Sequence, residues 1–262
     1  MTIGLSWRSG LLLFISTAVI VVAVFVDPIA QDPAYHRFAD QRNFLSIANC
    51  LNVISNLPFA VIGVLGFLLV SRYGTTVTPT VKPAWLIFFI GIFLTAFGSG
   101  YYHLDPNNAT LIWDRLPMTI GFMSFVAIIV GEYLSVRAAR MALLPLLLVG
   151  AGSVFFWAYT ESLGRGDLRA YAVVQFLPML LIPMVVLLYR DRSDLSSYIA
   201  GMIVCYVGAK LLEYYDGPIY AAGPLLSGHT LKHVLASLAP GIILYGLMRR
   251  RYHSARPHHS MD

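Results

Sequence analysis

Charge is scarce in this 262-residue chain. Asp, Glu, Lys and Arg together make up 12% of it, whereas 58% is hydrophobic. Soluble domains carry roughly 25% charged residues, so a water-soluble enzyme and a disordered chain are both excluded. Cysteine is nearly absent too. Cys50 and Cys205 both lie inside apolar runs, which excludes a disulfide scaffold and a thiolate metal site and leaves them as packing residues. The chain has no internal repeat, no long linker and no His-Glu-x-x-His, so a zincin-like protease is not supported. Its net charge is +5, but the cations are scattered between apolar segments instead of forming a stripe, and nucleic-acid binding is not expected.

What the chain does have is apolar length. A mean hydropathy of +0.71 exceeds what a single core can absorb, so lipid has to be the solvent. Eight apolar segments fall at about 11–26, 47–70, 84–102, 109–131, 141–160, 170–189, 195–212 and 225–248, most of them near the ~20 residues a helix needs to cross a bilayer. Unbroken runs of this length exclude barrel strands. The predicted fold is an all-α integral membrane protein with eight spans. Arg8 before the first run resembles the start of a signal sequence, but no small-x-small cleavage pattern follows at Asp27-Pro28, so a retained anchor helix is expected.

Lys and Arg are retained on the cytoplasmic side of a membrane. Alternate connections carry Arg8; Arg72 and Lys82; Arg137 and Arg140; Arg190 and Arg192; and Arg249, Arg250, Arg251 and Arg256. The other set is poorer, with Arg37, Arg42, Arg165 and Arg169 in loops. Both termini are therefore predicted to be cytoplasmic. The tail after Tyr252, with His253, His258 and His259, reads as polar and solvated.

Ionisable residues inside spans are costly and point to function by default. Here they gather at the non-cytoplasmic ends: Ser99 and His103 close the third span, Asp114 and Arg115 open the fourth, Lys210, Glu213 and Asp216 close the seventh, and His229, Lys232 and His233 open the eighth. Asn49, Asn52 and Asn56 open the second, just after Asp40, Arg42 and Asn43. Clustering on one side from five helices predicts a single polar cavity opening toward the outer leaflet. Ser99 and His103 are four apart, as are His229 and His233, and four helical residues turn about 400°, which leaves each pair on one face. Three imidazoles can thus converge, and three His with an open fourth position is a recurring catalytic zinc arrangement. Asp114 is the candidate proton carrier and Ser99 the candidate donor to a developing oxyanion. The bland alternative is that each His is a hydrogen-bonding packing residue.

Lys210 and Glu213 are placed to pair as a helix-end ion bridge. Lys232 is expected to point away from both late histidines, toward the interface or an acidic neighbour. Tyr101, Tyr102, Trp113, Tyr214, Tyr215 and Tyr220 read as an aromatic belt.

These same residues carry a family resemblance. Ser99-Gly-Tyr-Tyr-His103, then Asp114-Arg-Leu-Pro117-Met118 eleven positions after the histidine, then His229-Thr-Leu-Lys-His233, resemble the alkaline ceramidases and the wider superfamily of seven-helix hydrolases that includes adiponectin-receptor-like proteins. Asn49-Cys-Leu-Asn52-Val-Ile-Ser55-Asn56 is similar to the first helix of that family. The resemblance covers about residues 40–248 and makes the first span an addition to a seven-helix core. It divides the chain into an anchor helix (1–30), a hydrolase domain (31–252) and a tail (253–262). It implies a zinc-dependent amidase cleaving the N-acyl bond of ceramide or a related lipid amide, with His103, His229 and His233 as zinc ligands, Asp114 moving protons and Ser99 bonding the reacting oxygen. It also implies an N-terminal calcium site, for which Asp40, Asn43 and Asn49 are the candidate positions. Asn49 stands where a Glu is expected and the preceding segment is less acidic, a poor set for a hard cation that favours carboxylates. The rival class is a seven-helix lipid receptor or transporter that uses the same polar cluster without breaking a bond. Neither inverted repeats nor interrupted helices are legible, and the oligomeric state is not.

Overall fold

Backbone N–H and C=O groups have no partners in lipid other than one another, so apolar runs of this length close into helices. The computed structural model describes residues 6–78 and 81–255, and no strand occurs among them. The long helices are α1 (Trp7–Phe25), α3 (Leu57–Val77), α4 (Lys82–Leu104), α5 (Asn108–Ile129), α6 (Val136–Ser162), α7 (Arg169–Leu188), α8 (Ser196–Tyr214) and α10 (Gly228–Ala255), with the short α2 (Cys50–Ile54) and α9 (Asp216–Ala222) between them. The all-α membrane bundle expected from hydropathy is what forms. Seven helical segments are long and apolar enough to cross a bilayer. The eighth expected span, α8, is 19 residues long but is not among them, because Lys210 and Glu213 lower its apolarity near the C-terminal end. It packs along α10 within the bundle.

Helices α3, α4, α5, α7, α8 and α10 surround a common interior, with α6 against α5 and α7. Helix α1 touches chiefly α7, and Leu12 is its one buried residue. It is a peripheral helix with its apolar surface turned outward.

The expected span at 47–70 is present as one apolar stretch, Cys50–Gly74, but its helix is interrupted near the start. Helix α2 stops at Ile54, Ser55 and Asn56 form a turn, and α3 starts at Leu57 with a proline in its first turn. Pro58 has no N–H to continue the ladder and its ring disfavours helical backbone before it. At the other end α10 continues to Ala255, three residues into the expected tail. The remainder of that tail, with His258 and His259, lies outside the described residues.

Two local features bring the site helices together. A three-residue turn joins α4 to α5, held by a capping box in which Asn107 accepts from the backbone of Ala109 and Thr110 and Thr110 Oγ1 accepts from Asn107 N–H. Gly98 faces this seam, where a Cβ would collide with the carbonyl oxygen of Trp113. Small residues are what let membrane helices approach this closely.

Candidate metal centre

His103 sits in the last turn of α4, and His229 and His233 sit one turn apart at the start of α10. The three rings form a nearly equilateral group, with centroids 4.9 Å apart for His103–His229 and 4.8 Å for the other two pairs. Each offers a nitrogen within 4.8 Å of those of the other two, and all are buried at 5% exposure or less. His103 Nε2 and His233 Nε2 are 3.2 Å apart. This is close to the roughly 3.3 Å separating two nitrogens that share one tetrahedral zinc at bond lengths of about 2.0–2.1 Å. A further observation bears on fit: His103 Nδ1 is buried without a hydrogen-bond partner, so the cluster is not a closed hydrogen-bond network. Three imidazoles able to lend neutral nitrogens suit a borderline ion such as zinc better than calcium or magnesium, which take oxygen ligands. The cluster can hold a metal ion.

The surrounding shell is built from segments far apart in sequence. Ser55 Oγ lies 2.8 Å from His233 Nδ1 and also donates to the Asn52 carbonyl, which fixes the ring and leaves Nε2 facing the cluster. The break between α2 and α3 is what turns Ser55 inward. Asn52 Oδ1 accepts from Thr230 on α10, and its Nδ2 donates to the carbonyl of Asp40. Asp216 belongs to the polar group expected at the end of the seventh span. It has a larger part, accepting from His229 N–H through Oδ1 at 2.7 Å and from Ala39 N–H through Oδ2 at 2.8 Å, so it caps α10 and ties the incoming loop to it. Gly228 is required beside it, because a Cβ there would collide with the Leu212 carbonyl and approach Asp216 Cα.

Phe38, from the loop before α2, packs its ring 4.6 Å from His103 and 4.5 Å from His229 and covers the cluster on that side. Nothing in its sequence context marks it. Lys232 finds the acidic neighbour expected of it but departs from expectation in direction. It does not point away from both histidines: Nζ donates to His229 Nε2 at 3.2 Å while pairing with Glu213 at 2.8 Å. The i to i+3 spacing puts it beside His229, and Glu213, which also pairs with Lys210 at 2.7 Å, draws its ammonium inward. Tyr102 is a second correction. It is 1% exposed, and its hydroxyl is 2.9 Å from His36 Nδ1, so it belongs to the interior. Tyr101, Trp113, Tyr214 and Tyr215 are exposed, as an aromatic belt requires.

Ser99 and Asp114 face each other across the α4–α5 seam, and with His233 they line the polar end of a cavity of about 490 Å³. Arg115, Lys210, Glu213 and Lys232 also line it, and much of the remaining wall is apolar, including Phe88 and Met118 and, on α7 and α8, Met179 and Ile203. Phe176 lines both this cavity and a groove on the outer face between α1 and α7, so the wall there is one side chain thick.

Of the three candidate calcium positions, Asp40 and Asn49 have partners of their own. Both Asp40 carboxylate oxygens are bonded to Arg42, at 2.7–3.0 Å, and this guanidinium holds the carboxyl below its ordinary pKa. The Asn49 amide donates to the His103 carbonyl at 2.8 Å from a left-handed backbone position, φ 48°, which Asn tolerates better than most residues. Asn43 is exposed in the loop.

Among known protein families, a model described as Ceramidase matches residues 43–216. This runs from the loop before α2 to the first residue of α9 and covers more than half of the chain. No curated protein matches it significantly.

Proposed function

The chain belongs to the ceramidase family, and from that premise we propose that it is a zinc-dependent amidase of the membrane, cleaving the N-acyl bond of ceramide or a related lipid amide to a fatty acid and a free amine. The observation that carries this reading is a cluster of three imidazoles of which one, His233, shares with Asp114 and Ser99 the wall of a largely apolar cavity. Zinc held by His103, His229 and His233 supplies Lewis acidity toward an amide carbonyl and a water whose pKa is lowered to about 7.

The chain's own groups do the rest. The acyl chain enters past Phe176 and lies along the apolar wall, which brings the amide to Ser99 and Asp114. The Ser99 hydroxyl donates to the amide oxygen as negative charge develops on it. The Asp114 carboxylate takes a proton from the attacking water and delivers it to the departing nitrogen, which leaves poorly as an unprotonated anion. Ser55 keeps His233 oriented, and Phe38 excludes bulk water from the loop side. The cation distribution supports an outward-facing site with both termini cytoplasmic, and the peripheral packing of α1 supports its role as an anchor ahead of the hydrolase unit.

The test is elemental analysis of purified protein together with mass spectrometry of lipid amides incubated with it. Wild type is expected to carry zinc and release fatty acid; His103→Ala loses both. Metal-replete His103→Ala protein with normal turnover excludes the ligand assignment. Zinc-replete wild type that binds lipid amides without cleaving them makes the protein a receptor or transporter instead.

A further inference from the structure

One buried cation is left over by this chemistry. Arg115 is 5% exposed and lines the cavity immediately after Asp114 on α5. No acidic group lies within ion-pair distance of it among the described residues. Its guanidinium carbon sits 4.2 Å from the ring centre of Trp157, 4.6 Å from that of Tyr171 and 5.8 Å from that of Tyr35. Nη2 donates to Gln31 Oε1 at 2.6 Å, whereas Nη1 is buried with no partner at all. Aromatic faces attract a cation but do not satisfy N–H groups lying in the guanidinium plane, which match a planar oxyanion. The contrast with other arginines is direct: Arg169 is bonded through two nitrogens to Asp167, and Arg250 to Glu132.

Position narrows the ligand. Helical side chains lean back toward the N-terminus of their helix, so Arg115 reaches toward the loop bearing Gln31 and Tyr35, which both adjoin its guanidinium and line the cavity. That is the level of a lipid head group, not of an acyl tail. Around the polar end Lys210 and Lys232 share Glu213, Asp114 lines the same cavity, and the Glu161 carboxylate is held by the Trp157 indole and the Gln31 and Asn108 amides; none of these carboxylates is bonded to the Arg115 guanidinium.

We propose that Arg115, with Gln31 and Tyr35 beside it, is an oxyanion-binding subsite, and that the lipid amide accepted here carries a carboxylate in its head group, as an N-acyl amino acid does. The identity of the ligand as a substrate rests on the amidase reading; the anion subsite itself does not. A released fatty acid presents the same carboxylate chemistry, so the experiment separates the two sources.

Full-length protein in detergent, carrying Asp114→Asn to prevent turnover, is titrated with N-palmitoylglycine and its methyl ester, and with palmitate and palmityl alcohol. The acid form of the glycine conjugate is expected to bind at least tenfold tighter than its ester. Arg115→Gln abolishes that preference at unchanged zinc content, while palmitate and the alcohol differ little. Equal binding of acid and ester overturns the subsite. An Arg115-dependent preference for palmitate, without one for N-palmitoylglycine, overturns the head-group assignment. Should Arg115→Gln fail to fold, the acid and ester pair on the parent protein still decides. Absence of hydrolysis of any lipid amide by wild type defeats the amidase reading and leaves this binding test standing.

Discussion

At the end of the bundle opposite the histidines, Arg250 on α10 is bonded to Glu132 at 2.9 Å, to the exposed Asp194 and to the carbonyl of Val77 at 3.0 Å. Tyr133 and Ser196 close a hydroxyl pair beside it at 2.9 Å. Each of these groups answers another, and the result ties α3, the α5–α6 junction, α8 and α10 together. At the histidine end polar groups converge without all being paired: Arg115 Nη1, His103 Nδ1 and Asn56 Oδ1 are buried without partners, against Trp85 Nε1 alone near the opposite end among the described residues, and a largely apolar cavity opens beside them. Buried polar groups are costly unless paired. Where they are paired the gain is architectural; where they are left over, a ligand or metal is the natural complement.

Substitutions at the two ends should therefore fail in different ways. The largest effect is expected for Asp114→Asn, which keeps zinc and fold and lowers turnover by about 10²–10⁴, the range attributed to a positioned acid or base. Metal analysis alongside fatty-acid release measures this, and loss of zinc from the variant would make Asp114 part of the metal shell instead. At the opposite end, Arg250→Met removes the cation paired with Glu132 and is expected to cost about 3 kcal/mol of stability, typical of breaking a buried pair. Thermal unfolding in detergent reads the loss, while zinc per folded chain stays unchanged. If zinc fell with stability, the two ends would not be independent. Ser55→Ala should be milder, lowering metal affinity or turnover by about 10–100-fold as for other groups that orient a ligating histidine, with melting temperature nearly constant; competition with a chelator measures it.

The smallest effect concerns the loop that carries Phe38. Arg42 depresses the Asp40 carboxyl below its ordinary value of 3.8, so between the two values the folded loop binds fewer protons than the unfolded one. The stabilisation is complete above about pH 4 and is lost as pH falls through the lower folded value. Hydrogen exchange over residues 36–49 is expected to speed up only below that point, and Asp40→Asn to remove the pH dependence. An unchanged profile in the variant assigns the acid sensitivity to another group.

Much of this arrangement was legible from periodicity and polarity. Most of the long helices follow the apolar runs closely, because lipid leaves the backbone no other structure, while α3 and α10 continue well past the ends of theirs. The i to i+4 pairing of His229 with His233 is local geometry, and the gathering of His103, Asp114 and the late histidines at one end follows from alternating helix direction. Ser55 was hidden because the break after Ile54 lies inside an apolar run, where hydropathy sees continuity and only Pro58 hints otherwise. Lys232 pairs with an acidic neighbour as expected, but which one, and that the pairing leaves its ammonium beside His229, depended on Glu213 of another helix. Tyr102 looked like its exposed neighbour Tyr101, since aromatic residues near a helix end satisfy either an interface or an interior.

By itself, then, the order of residues determined the solvent, the helices and the end at which the ionisable groups collect, all of which depend on interactions within a segment or between a segment and lipid. Tertiary packing alone decided which nitrogen of His233 faces the cluster, that Phe38 covers it, and that Arg115 lies among aromatic rings with a donor to spare. Those outcomes depend on distances between side chains contributed by different helices and loops, and a one-dimensional pattern holds no information about them until the close approaches at Gly98 and Gly228 bring the helices into contact.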